Sequence, residues 1–203
     1  MNEEMLFRIV FWVFLLFVIV FNRIIPAFRA WKSEERILPD KKAIKNEGKT
    51  TFFLRIILFV LFLAFLILYA IYPPFMNLVQ FDFPIWLRWL GVLFAFIGVV
   101  FWIYSQAILD KYWSPQLQVQ KEHKIITSGP YGVIRHPIYA AMFIWVIGLA
   151  LFTANMVFAL IALLTIIGLI SRVPKEEKMM IEQFGDEYKK YIQITGRFFP
   201  KFR

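Results

Sequence analysis

From Leu54 to Tyr72 the chain reads LRIILFVLFLAFLILYAIY, and Arg55 is its only charge. A bilayer core takes about 20 apolar residues of helix. Backbone groups inside hydrocarbon must satisfy one another, so such a run becomes a helix rather than an open strand. The same pattern recurs along the chain. It predicts further helices from about Leu6 to Ile25, Ile85 to Leu109, Ile138 to Phe152 and Met156 to Ile170. The last two are short, and only Thr153, Ala154 and Asn155 divide them. They read as a tight helical hairpin, because one helix across both would need a steep tilt. The first run is too long for a signal peptide and lacks a small-residue cleavage site. The expected fold is an all-α membrane protein of about five transmembrane helices.

Composition and charge placement agree with that reading. Hydrophobic residues make up 60% of the 203, and charged residues 18%, below the roughly 25% of a soluble domain. The net charge of +9 raises the question of nucleic acid. Placement answers it: every lysine and arginine except Arg8 and Arg88 lies in a segment that five spans would put on one side. Basic residues mark the cytoplasmic side and its anionic lipid surface. The amino terminus is therefore expected outside, the carboxyl terminus in the cytoplasm, and the partners to be membrane lipids rather than nucleic acid. The polar loop from Trp31 to Thr51 reads as a solvated connector. The absence of cysteine excludes a disulfide framework and a cysteine nucleophile. Two histidines are too few for a histidine-rich metal centre, so no metal is expected. The chain reads as one domain over residues 1–203, with the first three spans in 1–110 and the chemistry in 111–203.

Two stretches carry that chemistry. In GPYGVIRHPIY, residues Gly129 to Tyr139, Pro137 suits a helix's first position and makes His136 a natural cap. Free N–H groups at that helix end would favour an anionic ligand group. Gly129-Pro130 favours a turn, Tyr131 offers an aromatic face, and Arg135 and His136 offer donors. An ordinary interfacial loop would use the same residues for snorkelling, capping and anchoring. In SRVPKEE, Arg172 closes the fifth span and Glu176 opens the next element. An ion pair between them is disfavoured, since basic-before-acidic is the weaker order on a helix and Pro174 disturbs the backbone between. The alternatives are that each points independently into a cavity, or that Glu176 simply answers a helix dipole. Pro174 is expected in the first turn of a cytoplasmic, carboxyl-terminal amphipathic helix. Its apolar face would hold Met179, Met180, Phe184, Tyr188 and Tyr191, with Gly185 as an interruption.

The ordered motifs GPYxxxRHPxY and EE…FGxxYxxY, within about Ser114 to Pro200, resemble the integral-membrane methyltransferases related to isoprenylcysteine carboxyl methyltransferase. Phospholipid N-methyltransferases share the broader pattern. The resemblance implies S-adenosylmethionine as methyl donor and S-adenosylhomocysteine as product. The chain has no GxGxxG following a strand, in keeping with a cofactor bound without a Rossmann fold. By resemblance, cofactor contacts fall on Gln118, His123, Lys124, Ile125, Ile126, Tyr131, His136, Pro137, Ile138, Tyr139 and Glu176. Arg172 is placed toward the acceptor, so Arg172 and Glu176 are the catalytic candidates. The implied acceptor is lipophilic, a carboxylate such as a prenylcysteine or isoprenoid acid. A phospholipid amine is the alternative, ahead of a membrane reductase or a non-catalytic carrier. A carrier has little support, because Asn22, Gln106 and Asp110 lie near span ends rather than within spans.

Overall fold

The computed structural model describes residues 3–24, 49–71, 78–109 and 125–201. These residues are almost wholly helical. Helix α1 covers Glu3–Ile19 and runs into a π-helical turn, Val20–Ile24. Helix α2 is Lys49–Ile71 and α3 is Ile85–Leu109. A short 3₁₀ turn, Gly129–Gly132, precedes α4, Pro137–Thr153. Helix α5 is Met156–Phe184 and α6 is Asp186–Ile194. Among the described residues, α3 and α5 are long and apolar enough to cross a membrane, and α4 is a shorter apolar helix.

Helices α3 and α4 pack backbone to backbone, and small residues make this possible. A Cβ added to Gly91 would lie 2.5 Å from Phe152 N, and one on Gly98 would lie 2.5 Å from Trp145 N. Gly148 meets the Ala95 backbone just as closely. Apolar helices in lipid gain nothing from burying one another's oil, so close van der Waals approach through small residues supplies the association. The pair is antiparallel, with Gly91 near the end of α4 and Trp102 beside Ala141 near its start.

An aromatic core ties α1, α2, α4 and α5 together. Phe158 lies with ring centroids 5.1 Å from Phe11 and 5.1 Å from Phe65, and Phe11 lies 4.9 Å from Tyr69. Phe7 and Phe152 complete it. Arg88, one of the two cations outside the charge pattern, is buried beside this core. Its Nε donates to Phe152 O at 3.0 Å, its guanidinium pairs with the Glu4 carboxylate and lies 3.9 Å over the Phe7 ring. A cation this deep is tolerated because its charge and donors are met. At the same end, Phe81 N donates to Ala154 O and Met156 N donates to Val79 O, both at 2.7 Å. The α4–α5 turn is thereby stitched to the segment before α3. Ala154 turns the chain with φ 48°, and Asn155 caps α5 by accepting from Val157 N at 3.0 Å.

The structure differs from expectation beyond Ile170. Pro174 does not open a new helix; α5 continues through it to Phe184. Proline removes one backbone donor and crowds the preceding turn, but side-chain ties described below hold this turn. The break falls at Gly185, whose φ of 55° suits glycine. Among the described residues only α6 follows, with Tyr188 and Tyr191 buried and Glu187, Lys189 and Lys190 exposed.

Candidate functional site

The site is built where the polar end of α5 meets the entry to α4. Gly129 starts the 3₁₀ turn with φ 56°, a conformation that favours glycine. A Cβ there would also collide with Ile108 of α3. Pro130 follows within the turn, and Tyr131 is carried inward and buried. The chain then runs beside its own carboxyl-terminal segment. Arg135 N donates to Gly196 O at 2.8 Å, His136 N to Arg197 O at 3.1 Å, and Gly196 N to Val133 O at 3.0 Å. Pro137 occupies the first helical position and His136 the cap, as the motif predicts.

The His136 imidazole does not cap. It lies between two carboxylates, with Nδ1 3.5 Å from Glu176 Oε2 and Nε2 3.5 Å from Glu177 Oε1. It also stacks on Tyr139 at 5.4 Å and 14°. Glu176 Oε1 accepts from Tyr139 Oη at 2.5 Å and from Arg172 Nε at 2.9 Å. The Arg172–Glu176 pair therefore forms, against the expectation drawn from Pro174 and charge order. Because α5 stays helical through Pro174, positions four apart remain on one face. Both side chains are largely buried and paired with each other, rather than each pointing independently into a cavity.

Glu177, one residue on, is turned toward other partners. Arg135 Nε donates to its Oε1 at 3.0 Å, and Arg197 donates to its Oε2 at 2.7 Å. Arg135 also donates to the carbonyls of Ile192 and Thr195. Burial alone would raise the Glu177 carboxyl, but the donors of His136, Arg197 and Arg135 outweigh it and hold it at about 2. Tyr191 Oη donates to Tyr131 O at 2.6 Å, tying α6 to the turn. The Tyr131 hydroxyl is buried with no hydrogen-bond partner among the described residues. Burial, then the neighbouring Tyr191 and the Glu176 charge, push its pKa up, so it stays a donor.

Of the predicted site residues, Tyr131, His136, Tyr139, Arg172 and Glu176 come together here, Pro137 starts α4 beside them, and Ile138 packs instead toward the apolar cluster of Val18, Val99, Trp102 and Ala141. Ile125 and Ile126 lie half-buried in the irregular segment before the turn. Gln118, His123 and Lys124 lie outside the described residues. Sequence reading missed Glu177, Arg197 and the anchoring role of Tyr191. The doubled acid in KEE was the available signal.

A buried acid–histidine–arginine cluster at the polar end of long apolar helices defines a membrane protein with an enclosed polar site. Residues 89–182 match the model of the isoprenylcysteine carboxyl methyltransferase family, and the chain resembles that family. It is 36% identical over 72 residues to a protein-S-isoprenylcysteine O-methyltransferase of Schizosaccharomyces pombe, covering 35% of this chain and 30% of that one. It is 26% identical over 98 residues to the nickel-cobalt-cadmium resistance protein NccN of Alcaligenes xylosoxydans xylosoxydans, covering 48% and 46%. The chain thus spans less than half the length of these relatives. A solved structure of the eukaryotic intramembrane Ras methyltransferase shares the fold with a TM-score of 0.52 and 22% identity, over 81% of this chain and 54% of that one.

Proposed function

We propose that the chain is an integral membrane methyltransferase that transfers the methyl group of S-adenosylmethionine to a lipophilic acceptor, a carboxylate such as a prenylcysteine or isoprenoid acid. The observation that carries this reading is the Arg172–Glu176–Tyr139 cluster, with His136 beside it, at the polar end of apolar helices. The relatives named as isoprenylcysteine O-methyltransferases support the reaction class. The residues also fit the donor. The Tyr131 hydroxyl is buried with no hydrogen-bond partner among the described residues, and Glu176 brings a carboxylate to the same place. An unmet donor beside an anion suits an amino-acid ligand that carries a sulfonium charge. Tyr131, His136, Pro137, Ile138, Tyr139 and Glu176 would hold it.

When bound, S-adenosylmethionine supplies an activated methyl with a neutral thioether leaving group. The chain's own work is positioning and water exclusion. A carboxylate acceptor has no proton to lose; it needs a cation to hold it in line. Arg172 suits that role because Glu176 fixes its guanidinium through Nε, and a planar fork orients a carboxylate. An amine acceptor would need a base, and Glu176 Oε1 already accepts two hydrogen bonds. The same reading takes five spans, with residues 1–110 as the first three and 111–203 as the cofactor-binding core. It takes the amino terminus outside and the site at the cytoplasmic face, which the one-sided distribution of lysine and arginine supports.

The test is methyl transfer from labelled S-adenosylmethionine to a farnesylated cysteine and, separately, to a phospholipid extract. The expected result is a labelled, base-labile ester on the former only. Arg172→Ala is expected to lower turnover at least a hundredfold while S-adenosylhomocysteine affinity stays within a few-fold. Label in a phospholipid amine would overturn the acceptor, and no transfer to any lipid would overturn the activity.

A further inference from the structure

The arrangement above leaves a second group of buried polar atoms unused. On α3, Gln106 is 7% exposed and Ser105 0%, and neither the Gln106 amide nor the Ser105 hydroxyl has a hydrogen-bond partner among the described residues. The indole N–H of Trp102, one turn earlier, is in the same state. A buried amide with both ends unmet is unfavourable for the protein alone, and so points to something else that meets it.

The α3–α4 register locates these atoms. Gly91 lies against Phe152, Gly98 against Trp145, and Trp102 beside Ala141. One further turn of that antiparallel register brings Ser105 and Gln106 level with Pro137 and Ile138, immediately after His136. From the other side, the turn at Gly129 touches Tyr104 and Ile108 of the same α3 segment. The Gln106 amide, the Ser105 hydroxyl and the Tyr131 hydroxyl therefore share one level of the bundle, all without hydrogen-bond partners among the described residues.

Their chemistry restricts the ligand group. The α3 atoms are all neutral. The charges nearby are matched, Glu177 by Arg135 and Arg197 and Glu176 by Arg172. A charged ligand group would find no counter-charge on α3. A primary amide is best met by an edge that donates and accepts side by side, and a glutamine amide pairs in this way with the amine and adjacent ring nitrogen of adenine. We propose that Gln106, supported by Ser105, is a ligand-contact residue that reads the nucleobase edge of the adenosyl methyl donor. The inference rests on the methyltransferase reading above and assigns α3 a part in binding.

The test is calorimetry on the full chain in detergent. The probes are S-adenosylhomocysteine and its analogue lacking the purine 6-amino group. The unsubstituted protein is expected to prefer S-adenosylhomocysteine about tenfold or more. Gln106→Met keeps the side chain's length and is expected to bind S-adenosylhomocysteine about tenfold more weakly and lose the preference. Its ligand-free thermal midpoint should equal or exceed that of the parent, because two unmet polar atoms are gone. Unchanged affinity or a retained preference in Gln106→Met would overturn the assignment, as would a lowered ligand-free midpoint, which would mean that the amide is paired within the protein. Failure of the unsubstituted protein to bind S-adenosylhomocysteine would instead sink the methyltransferase reading, and the inference with it.

Discussion

At the scale of single residues, the adjacent acids Glu176 and Glu177 show how a helix separates neighbours. A step of about 100° along α5 sends one carboxylate to Arg172 and Tyr139 and the next to Arg135 and Arg197. The first sits at the proposed reaction centre; the second fastens three distant parts of the chain. Glu177→Gln should therefore leave two guanidinium groups short of a counter-charge. Removing one member of a buried pair costs about 3–5 kcal/mol, and the half-exposed Arg197 brings the expectation down to about 2–3 kcal/mol. The carboxyl is held at about 2 against an ordinary 4.5. Its folded value lies below its unfolded value, so its contribution is complete above about 4.5 and is lost as pH falls toward 2. Thermal midpoints measured down that range should fall more steeply for the parent than for Glu177→Gln. Parallel curves would mean that Glu177 does not carry the acid sensitivity.

At the scale of elements, the legible boundaries were those set by local chemistry. Pro84 before α3, Pro137 at the start of α4, and the Thr153–Asn155 turn each act on the backbone within a residue or two, and the helices begin and end there. The continuation of α5 through Pro174 was not legible. Local rules set proline against the turn, whereas the ties from Arg172, Glu176 and Glu177 are made to side chains that only the folded chain brings near. The motif residues Tyr131 to Tyr139 could be picked out by type. Their pairing with Gly196 and Arg197 could not, because strand-like contact across some sixty positions leaves no periodic trace. Gln106 was visible as a polar residue near a span end, but its burial depends on the α3–α4 register. That register rests on Gly91, Gly98 and Gly148. Gly91→Ala should force the backbones apart, since its Cβ would lie 2.5 Å from Phe152 N. The expected loss is about 1–3 kcal/mol, read as a lower thermal midpoint in detergent. An unchanged midpoint would mean that the hairpin yields without cost.

At the scale of the whole molecule, the two ends of the bundle are chemically unlike. One end is closed by the α4–α5 turn, the paired segment around Val79–Phe83 and the internally neutralised Arg88–Glu4 pair. The other gathers the arginine–carboxylate cluster, α6 and the carboxyl-terminal segment. On the proposed reaction, a water-soluble methyl donor would reach a site at the second end from the aqueous side and a lipid-tailed acceptor between apolar helices. That reading puts this end toward the compartment that makes the donor, and the one-sided sequence distribution of lysine and arginine favours the cytoplasm. The chain's lack of cysteine makes the orientation directly measurable, because any introduced thiol is unique. Leu78 and Lys190 are both exposed and lie at opposite ends. In intact cells a membrane-impermeant maleimide should label Leu78→Cys and leave Lys190→Cys untouched until the membrane is opened. The reverse pattern would put the cluster on the outer surface, away from the donor, and would require a different reaction for the site.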